Sequence, residues 1–404
     1  MQQVALRESI IEKFRSAEDD SLIIRYYEGV RQAFASIDTS VQGPLFQPAF
    51  ELPDLDEGMK SYFSVVRAEY QEVGEYQGKR IFLLDLMKNK GTNTTKSLAS
   101  LLMVARAINH IRKTGESILM FTPSSGNKAI ALRDAVERAV TLGLVQKEQL
   151  RIMTLIPKES EHKLRESELT RDPELRRLNP VFLYEGEEAQ TVKTIGRQFI
   201  DEYGDSLYDQ FGLRIWYSLD IRNYKVADAM RAFYDYEHYP WHSNKGKRLH
   251  AHSVSSAYGL LGYNYGLDLL QQAGMNKDEI SPGYLLVQHS RTCDMVLNLL
   301  HGSFSRDNMP NYRFDEQDGL YKQEEDKHFP FRTWSVIENV DSTFYTHEPA
   351  TSPEMNALIE QYGGSGIVVS KFECMERLER IRELLSEAGL TLPTDPNQIY
   401  EWSL

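Results

Sequence analysis

Ile118-Leu119-Met120-Phe121 is followed closely by Ser124-Ser125-Gly126-Asn127, and residues 127–140 then repeat their apolar side chains at helical spacing. A short buried strand, a polar loop and an amphipathic helix form the unit from which parallel sheets are built. The same order recurs on either side. Residues 80–86 predict a strand, 88–92 a polar loop, and Leu98, Leu101, Leu102, Val104, Ala105 and Ile108 a helix. Strands are predicted at 151–156 (ended by Pro157), 181–184, 214–217, 249–254, 284–288 and 366–370. Helices are predicted at 161–169, 189–203, 226–236, 260–273, 294–300, 353–362 and 373–388. Gly143 and Gly389 stand where helix C-caps belong, and Ser352 before Pro353 where an N-cap belongs. Residues 1–37 and 57–70 read as helical, the stretch from Gly43 to Asp54 and residues 239–248 as loop, and 303–330 as a long surface excursion. The fold class expected is α/β: two doubly wound three-layer αβα domains with mainly parallel sheets. The domains are drawn as 1–86 (N-terminal helices and a strand, part of the large domain), 87–205 (small) and 206–404 (large).

The composition fits a globular chain. It has 404 residues, 41% hydrophobic and 26% charged, with a formal net charge of −13. The acidic balance argues against nucleic acid and anionic membranes as partners. Two cysteines, Cys293 and Cys374, cannot make a disulfide framework, so a reducing cytoplasm is expected. Residues 1–14 interleave Arg7, Glu8, Glu12 and Lys13 with apolar residues, unlike a signal peptide, and no apolar run is long enough to span a membrane.

Three places carry candidate chemistry. Lys96, in Asn93-Thr94-Thr95-Lys96-Ser97, stands at the start of a predicted helix. The positive helix end and partial burial would both lower its pKa and favour a nucleophilic amine; its ordinary reading is a surface lysine. The Ser124–Asn127 loop can turn hydroxyls and backbone N–H groups on an anion, or simply cap the next helix. Val254-Ser255-Ser256-Ala257-Tyr258-Gly259-Leu260-Leu261-Gly262 runs from strand to helix and would present amides to a phosphate; an ordinary capped turn is the alternative.

In this order the three resemble the fold-type II pyridoxal phosphate enzymes, the superfamily of threonine synthase, cysteine synthase and the tryptophan synthase beta chain. Thr94-Thr95-Lys96 matches the family's Ser/Thr-x-Lys, Ser124-Ser125-Gly126-Asn127 its asparagine loop, and 254–262 its phosphate loop. Residues 284–293 resemble its valine–glutamine strand, and Gly363-Gly364 through Glu373 a later Gly-Gly segment, so the likeness spans most of 80–395. It implies pyridoxal 5'-phosphate in the cleft between two domains, held by Lys96 as a Schiff base. Lys96 would then act as base at the substrate Cα. Ser124, Ser125 and Gly126 would grip the substrate carboxylate, and Asn127 the cofactor's ring oxygen. Ser255, Ser256, Ala257, Tyr258 and Gly259 would cup the phosphate. Thr394 is placed at the pyridine nitrogen, with Asp395 as the other choice. The chain departs from the family in having Ala257-Tyr258 for Gly-Gly, Ser97-Leu98 for Asp-Arg, and Ala129 for glycine.

The resemblance implies a lyase or transferase of amino-acid metabolism that performs β- or γ-elimination or replacement, as a homodimer. The alternative is a non-catalytic homologue serving as a binding or partner subunit. Other residues are weaker candidates. His250 and His252 share a strand face but lack a third metal ligand, so no metal is expected. Arg222 and Lys225 are candidates for a second anionic group of the substrate, or plain surface charges.

Overall fold

The computed structural model describes residues 2–39, 45–89, 91–240, 246–341 and 345–403. From the N-terminus come α1 (Gln2–Ile11), α2 (Leu22–Arg25), α3 (Tyr27–Ser36) and α4 (Glu57–Phe63), then the hairpin strands β1 (Glu69–Tyr76) and β2 (Lys79–Asp85). Next are α5 (Ser97–Thr114), β3 (Ser117–Pro123), α6 (Asn127–Thr141), β4 (Leu150–Pro157), α7 (Glu168–Arg171), α8 (Pro173–Leu178), β5 (Val181–Tyr184), α9 (Thr191–Phe211), β6 (Leu213–Tyr217) and α10 (Arg222–His238). β7 (Leu249–Ser253), α11 (Tyr258–Gln272), α12 (Lys277–Ile280), β8 (Gly283–His289) and α13 (Asp294–His301) follow. The chain closes with β9 (Arg313–Asp315), β10 (Leu320–Lys322), β11 (Arg332–Thr333), α14 (Ser352–Tyr362), β12 (Gly364–Val369) and α15 (Lys371–Glu387). Two units result. Unit 1 comprises Met1–Glu69, Asp85–Tyr239 and Gly262–Met275; unit 2 comprises Tyr70–Leu84, Pro240–Leu261 and Asn276–Leu404.

Unit 1 is built on a four-stranded sheet in the order β5-β4-β3-β6, every pair parallel. β3 and β4 are buried nearly end to end, so they read as continuous apolar runs rather than alternating ones. α5 is buried along most of its length between Ser97 and Ile111 and ends on Gly115 in the left-handed region (φ 75°). Unit 2 carries the parallel sheet β12-β8-β7 and a small antiparallel sheet β11-β10-β9. The α/β expectation with mainly parallel sheets is therefore met.

Several local expectations need correction. The single helix expected at 161–169 is the end of a 3-10 turn and the start of α7, and α8 follows beyond it. Ser167 and Asp172 each cap a new helix, and Pro173 occupies the first turn of the second. The helix expected over 57–70 stops at Phe63, and the chain then enters β1, whose return to β2 passes through Gln77 and Gly78 at φ 49° and 71°. Residues 1–37 hold three helices rather than one run. α14 is capped by Thr351 rather than Ser352, which is its first residue. The excursion at 303–330 contains β9 and β10. Gly43, Pro44 and positions 241–245 of the predicted loops lie outside the described residues. Among those described, no helix is long and apolar enough to cross a membrane.

One buried ion cluster in unit 1 sets a pH dependence. The Glu237 carboxylate accepts from Arg25 Nε at 2.9 Å, Arg15 Nη1 at 2.9 Å and the Tyr26 hydroxyl. Burial alone would raise its pKa, but the bonds from Arg25 and Tyr26 and the neighbouring charge of Arg25 hold it below the ordinary carboxylate value. A folded pKa below the unfolded one contributes stability that is present above about pH 4.5 and lost as pH falls through the folded value. Urea midpoints measured against pH should therefore fall on acidification. Glu237→Gln should be less stable at neutral pH and should flatten that fall; an unchanged acid limb would refute the assignment.

Candidate functional site

Topology decides what can meet in unit 1. α5 enters β3 through a turn at Gly115 and Glu116, and β3 enters α6 through residues 124–126. Both helices therefore run against the strand, and both begin at its carboxyl edge. The same holds for α9 after β5 and α10 after β6, because all four strands are parallel. In open α/β sheets this edge is where ligands bind.

Lys96 is the residue just before α5, in helical conformation (φ −70°, ψ −12°). Its residue surface is exposed, and its Nζ lies 5.6 Å from the centroid of the Tyr224 ring on the first turn of α10. The burial expected of Lys96 is found instead on a neighbour. Lys128, on the first turn of α6, keeps part of its stem at the surface, but its ammonium is desolvated and donates to the Ser218 carbonyl at 3.3 Å. Burial pushes the Lys128 pKa down to about 7, and the like charges of Lys193 and Lys96 push the same way. Lys193, in the first turn of α9, is also lowered by burial.

The asparagine loop has both of its anticipated roles within reach. Ser124 is buried, and its Oγ accepts from the N–H groups of Gly126 at 3.0 Å and Ala129 at 3.1 Å. The serine oxygen thus braces the helix start, while its proton remains available to donate. Gly126 has φ +113°, and a Cβ there would meet Lys163 Cδ at 2.4 Å. Lys163 Nζ donates to the Ser125 carbonyl at 3.2 Å, so a lysine stem roofs the loop at its glycine. Asn127 is the first residue of α6. Lys96 and Ser124–Asn127 are thus brought to one sheet edge.

In unit 2 the predicted phosphate loop leaves the carboxyl end of β7. Gln288, fully buried on β8, donates to the Val254 carbonyl at 3.1 Å and accepts from the Val296 N–H at 3.1 Å, which pins the turn. Ser255 Oγ accepts from the Thr346 N–H at 2.9 Å, and the Ser256 carbonyl accepts from Thr351 Oγ1 at 2.8 Å. Ala257 sits in the left-handed region at φ 52°, a conformation that costs a non-glycine residue about 1–2 kcal/mol. Tyr258 and Gly259 then open α11. A left-handed residue feeding a helix start turns successive N–H groups toward one point, which is the geometry of an anion cup.

The C-terminal residues divide differently from expectation. The Thr394 carbonyl accepts from Arg382 Nη2 at 2.8 Å, and Asp395 caps residues 396–398 by accepting from the Asn397 N–H at 2.9 Å; both residues are exposed. Among the described C-terminal residues, Ser403, which sequence reading missed, reaches the end of β7. Its Oγ lies 2.6 Å from Ser253 Oγ, and its N–H donates to Asp341 Oδ1 at 3.0 Å. The Tyr345 hydroxyl joins this group, 2.7 Å from Ser253 Oγ, and its ring lies 4.5 Å from that of buried His289, tilted by 48°. Nothing in a run of Trp-Ser-Leu announces such a role; it comes from the chain end being tied to Asp341.

The remaining candidates are accounted for locally. Arg222 pairs with Asp220 (Nη2 to Oδ2, 2.6 Å) at the start of α10. His252 Nδ1 lies 2.6 Å from the Ser253 carbonyl, and His250 meets Tyr284 edge-on. No group of three or more His, Cys, Asp or Glu able to hold a metal occurs among the described residues. A surface cleft of about 350 Å³ in unit 1, lined by Asp19, Asp20, Arg25, Arg67, Lys88 and His238, contains none of the predicted site residues. Its Arg25, Lys88 and His238 are engaged in ion pairs, and its Arg67 pairs with Asp20.

The family model described as "Family of unknown function (DUF6002)" matches residues 18–404, and the chain belongs to that family. No curated protein matches it. Among solved structures, threonine synthase from yeast aligns with a TM-score of 0.51 and 12% identity over 94% of this chain and 76% of that one. Pyridoxal phosphate-bound threonine synthase from Brucella melitensis gives 0.48 and 12% over 96% and 80%. L-serine ammonia-lyase from Rhizomucor miehei gives 0.46 and 13% over 80% and 81%. At such identities the yeast enzyme establishes likeness of fold, that of the fold-type II enzymes.

Proposed function

We propose that this DUF6002 protein is a pyridoxal phosphate-dependent enzyme that eliminates or replaces a group at the β- or γ-carbon of an amino acid. The observation that carries the reading is the convergence of Lys96 and the Ser124–Asn127 loop at the carboxyl edge of one parallel sheet, on the starts of α5 and α6. The cup at Ser255–Gly259, with its left-handed Ala257, supports it by offering helix-start N–H groups to a phosphate. Within unit 1 the residues present fit the chemistry, an amine for an aldehyde and donors for a carboxylate, and unit 2 by itself offers a cup suited to a phosphate.

When bound, the cofactor supplies an electron sink for charge that develops at the substrate Cα. Lys96 supplies the amine for the aldehyde and then takes the proton from Cα. The Ser124 proton, the Ser125 hydroxyl and the N–H groups of the loop bind the substrate carboxylate, and Asn127 donates to the ring oxygen. With its charge fixed on this loop, the substrate is held in one orientation over the lysine. Ser403, backed by Asp341 and Tyr345, joins Thr394 as a candidate for the ring nitrogen, and Ser403 has the better claim because it reaches the end of β7.

The test is a panel of serine, homoserine and their acetylated and phosphorylated esters offered to the loaded protein, read by release of ammonia, acetate or phosphate. Release from at least one substrate is expected. Cofactor binding with no release from any substrate would instead identify a binding subunit.

A further inference from the structure

Among the described residues, the chain between β2 and α5 is neither helix nor strand, so local contacts must fix where Lys96 stands. Those contacts form a relay. Asn89 is buried; its carbonyl accepts from the N–H groups of Thr92 at 3.1 Å and Asn93 at 2.7 Å, and its Oδ1 accepts from the Gly91 N–H at 2.9 Å. Thr92 Oγ1 lies 2.5 Å from Ser97 Oγ, the Thr94 carbonyl accepts from Ser97 Oγ at 2.9 Å, and Thr94 Oγ1 accepts from the Lys96 N–H at 3.3 Å. Asn93 holds φ +47°, a left-handed conformation that a non-glycine residue keeps only where its surroundings impose it. The relay is tied to α6 at Asp134. Asp134 Oδ2 accepts from Asn89 Nδ2 at 3.4 Å, and a Cβ on Gly91 would lie 2.7 Å from Asp134 Oδ1, so the carboxylate meets the segment at two points. Asp134 follows Asn127 by about two helical turns, on the same face of α6. A single helix thus carries the asparagine loop at its start and the anchor of the Lys96 segment in its middle.

We propose that Asp134, acting through Asn89, is a positioning residue that holds the Lys96 segment in register with the Ser124–Asn127 loop. Connectivity is the first reason. Lys96 and the loop lie on different segments, and a reacting amine must keep its place relative to the groups that hold the substrate to within a fraction of an ångström. The Asp134 contact joins the two segments through one rigid helix. Energetics is the second. Burial raises the Asp134 pKa, and the charges of Arg138 and Arg165 and the Asn89 bond only partly oppose it. A carboxyl whose folded pKa lies above its unfolded one destabilises the fold once pH exceeds the unfolded value. The charge therefore adds nothing to stability at neutral pH, and what the carboxylate supplies is placement. That Lys96 is the working amine rests on the reading above; the anchor itself does not.

The experiment compares Asp134→Leu and Asp134→Asn with the unaltered full chain. In Asp134→Leu, hydrogen exchange at the Thr92 and Asn93 N–H groups should speed up by about tenfold or more, the scale of one lost hydrogen bond to a charged group, while amides 135–140 of α6 stay unchanged. Capture of pyridoxal phosphate on Lys96, trapped by borohydride and mapped by mass spectrometry, should slow by about the same factor, and the thermal midpoint should not fall. Asp134→Asn keeps an acceptor for Asn89 and should leave exchange and capture within about threefold of the unaltered protein. A merely structural role would instead lower the midpoint and leave capture per folded molecule unchanged. If Asp134→Leu does not fold, Gly91→Ala, whose added Cβ meets the same carboxylate, carries the test. Unchanged exchange at Thr92 and Asn93, or faster exchange with unchanged capture, would overturn the proposal. An unaltered protein that captures no pyridoxal phosphate on Lys96 would sink the cofactor reading, and the exchange result would then decide the anchor by itself.

Discussion

Lys96→Ala should fold normally, fail to retain pyridoxal phosphate after borohydride reduction, and lose turnover by on the order of a thousandfold or more, the scale seen when a nucleophile is removed from a catalytic group. Folding should survive because Lys96 is exposed and its ring contact, at 5.6 Å from the Tyr224 centroid, is of a kind worth about 0.5–1 kcal/mol. The chemistry should not survive, since no serine or asparagine of the loop can replace an amine. Peptide mapping of the reduced, unaltered protein makes the prediction sharper. The structure puts a second amine, Lys128, within electrostatic range of Lys96, and burial has already lowered its pKa to about 7. A neutral amine is the reactive form, so this edge offers the aldehyde two choices. Position favours Lys96, which immediately precedes its helix and is exposed, whereas Lys128 donates to the Ser218 carbonyl. Recovery of the reduced cofactor on the Lys128 peptide would transfer the catalytic role and end the assignment made here.

The same chemical change at two glycines should give opposite signs. α11 crosses α10 at Gly262 and Gly266. A Cβ at 262 would lie 2.4 Å from Asp228 Cβ and 2.8 Å from the Lys225 carbonyl oxygen; at 266 it would lie 2.4 Å from the Ala229 carbonyl oxygen and 2.7 Å from Ala232 Cβ. Backbone oxygens of a buried helix cannot step aside, and Tyr263, whose hydroxyl donates to Asp235 at 2.6 Å, fixes the crossing. Gly266→Ala should therefore cost about 2–3 kcal/mol through overpacking, or about 4–12 °C in the thermal midpoint of a unit of this size. Gly204, inside α9, has Ile200 Cγ2 at 3.7 Å as its nearest neighbour, which is ordinary contact. There Gly204→Ala should gain about 0.5–1 kcal/mol from helix propensity alone. Differential scanning calorimetry of the two variants decides the matter: equal shifts of the same sign would show that propensity, not close approach, governs Gly266.

The pattern of β3 and its neighbours was legible because a strand buried on both faces must be apolar throughout, and a helix that covers it must be apolar on one side. Those two constraints write themselves into local sequence, as they do at Ile118–Phe121 and along α5. Misreadings fell where local signals compete. Ser167 is a cap as well as a helix-compatible residue, and within the helix expected at 161–169 it separates a 3-10 turn from α7. β1 hides in a charged stretch, Glu69–Tyr76, because a hairpin strand with little burial needs few apolar residues.

The site divides along the same line. The amino-acid order determined that Lys96 and Ser124–Asn127 would open successive helices about one strand, because each lies where an apolar period begins. Gly262 and Gly266 stand four apart in the order itself, but that α10 approaches them closely is decided by the fold. What burial would do to each amine was likewise beyond the amino-acid order. Lys128 and Lys193 are ordinary residues of their helices in sequence, far apart along the chain. They become a desolvated pair next to Lys96 only because parallel strands return α6 and α9 to the edge where α5 starts. Ser403 likewise gains its place at the end of β7 from Asp341, a residue remote in sequence. Helix and strand follow from neighbours a few residues away, whereas the electrostatic state of a lysine depends on groups that only the folded sheet brings within reach.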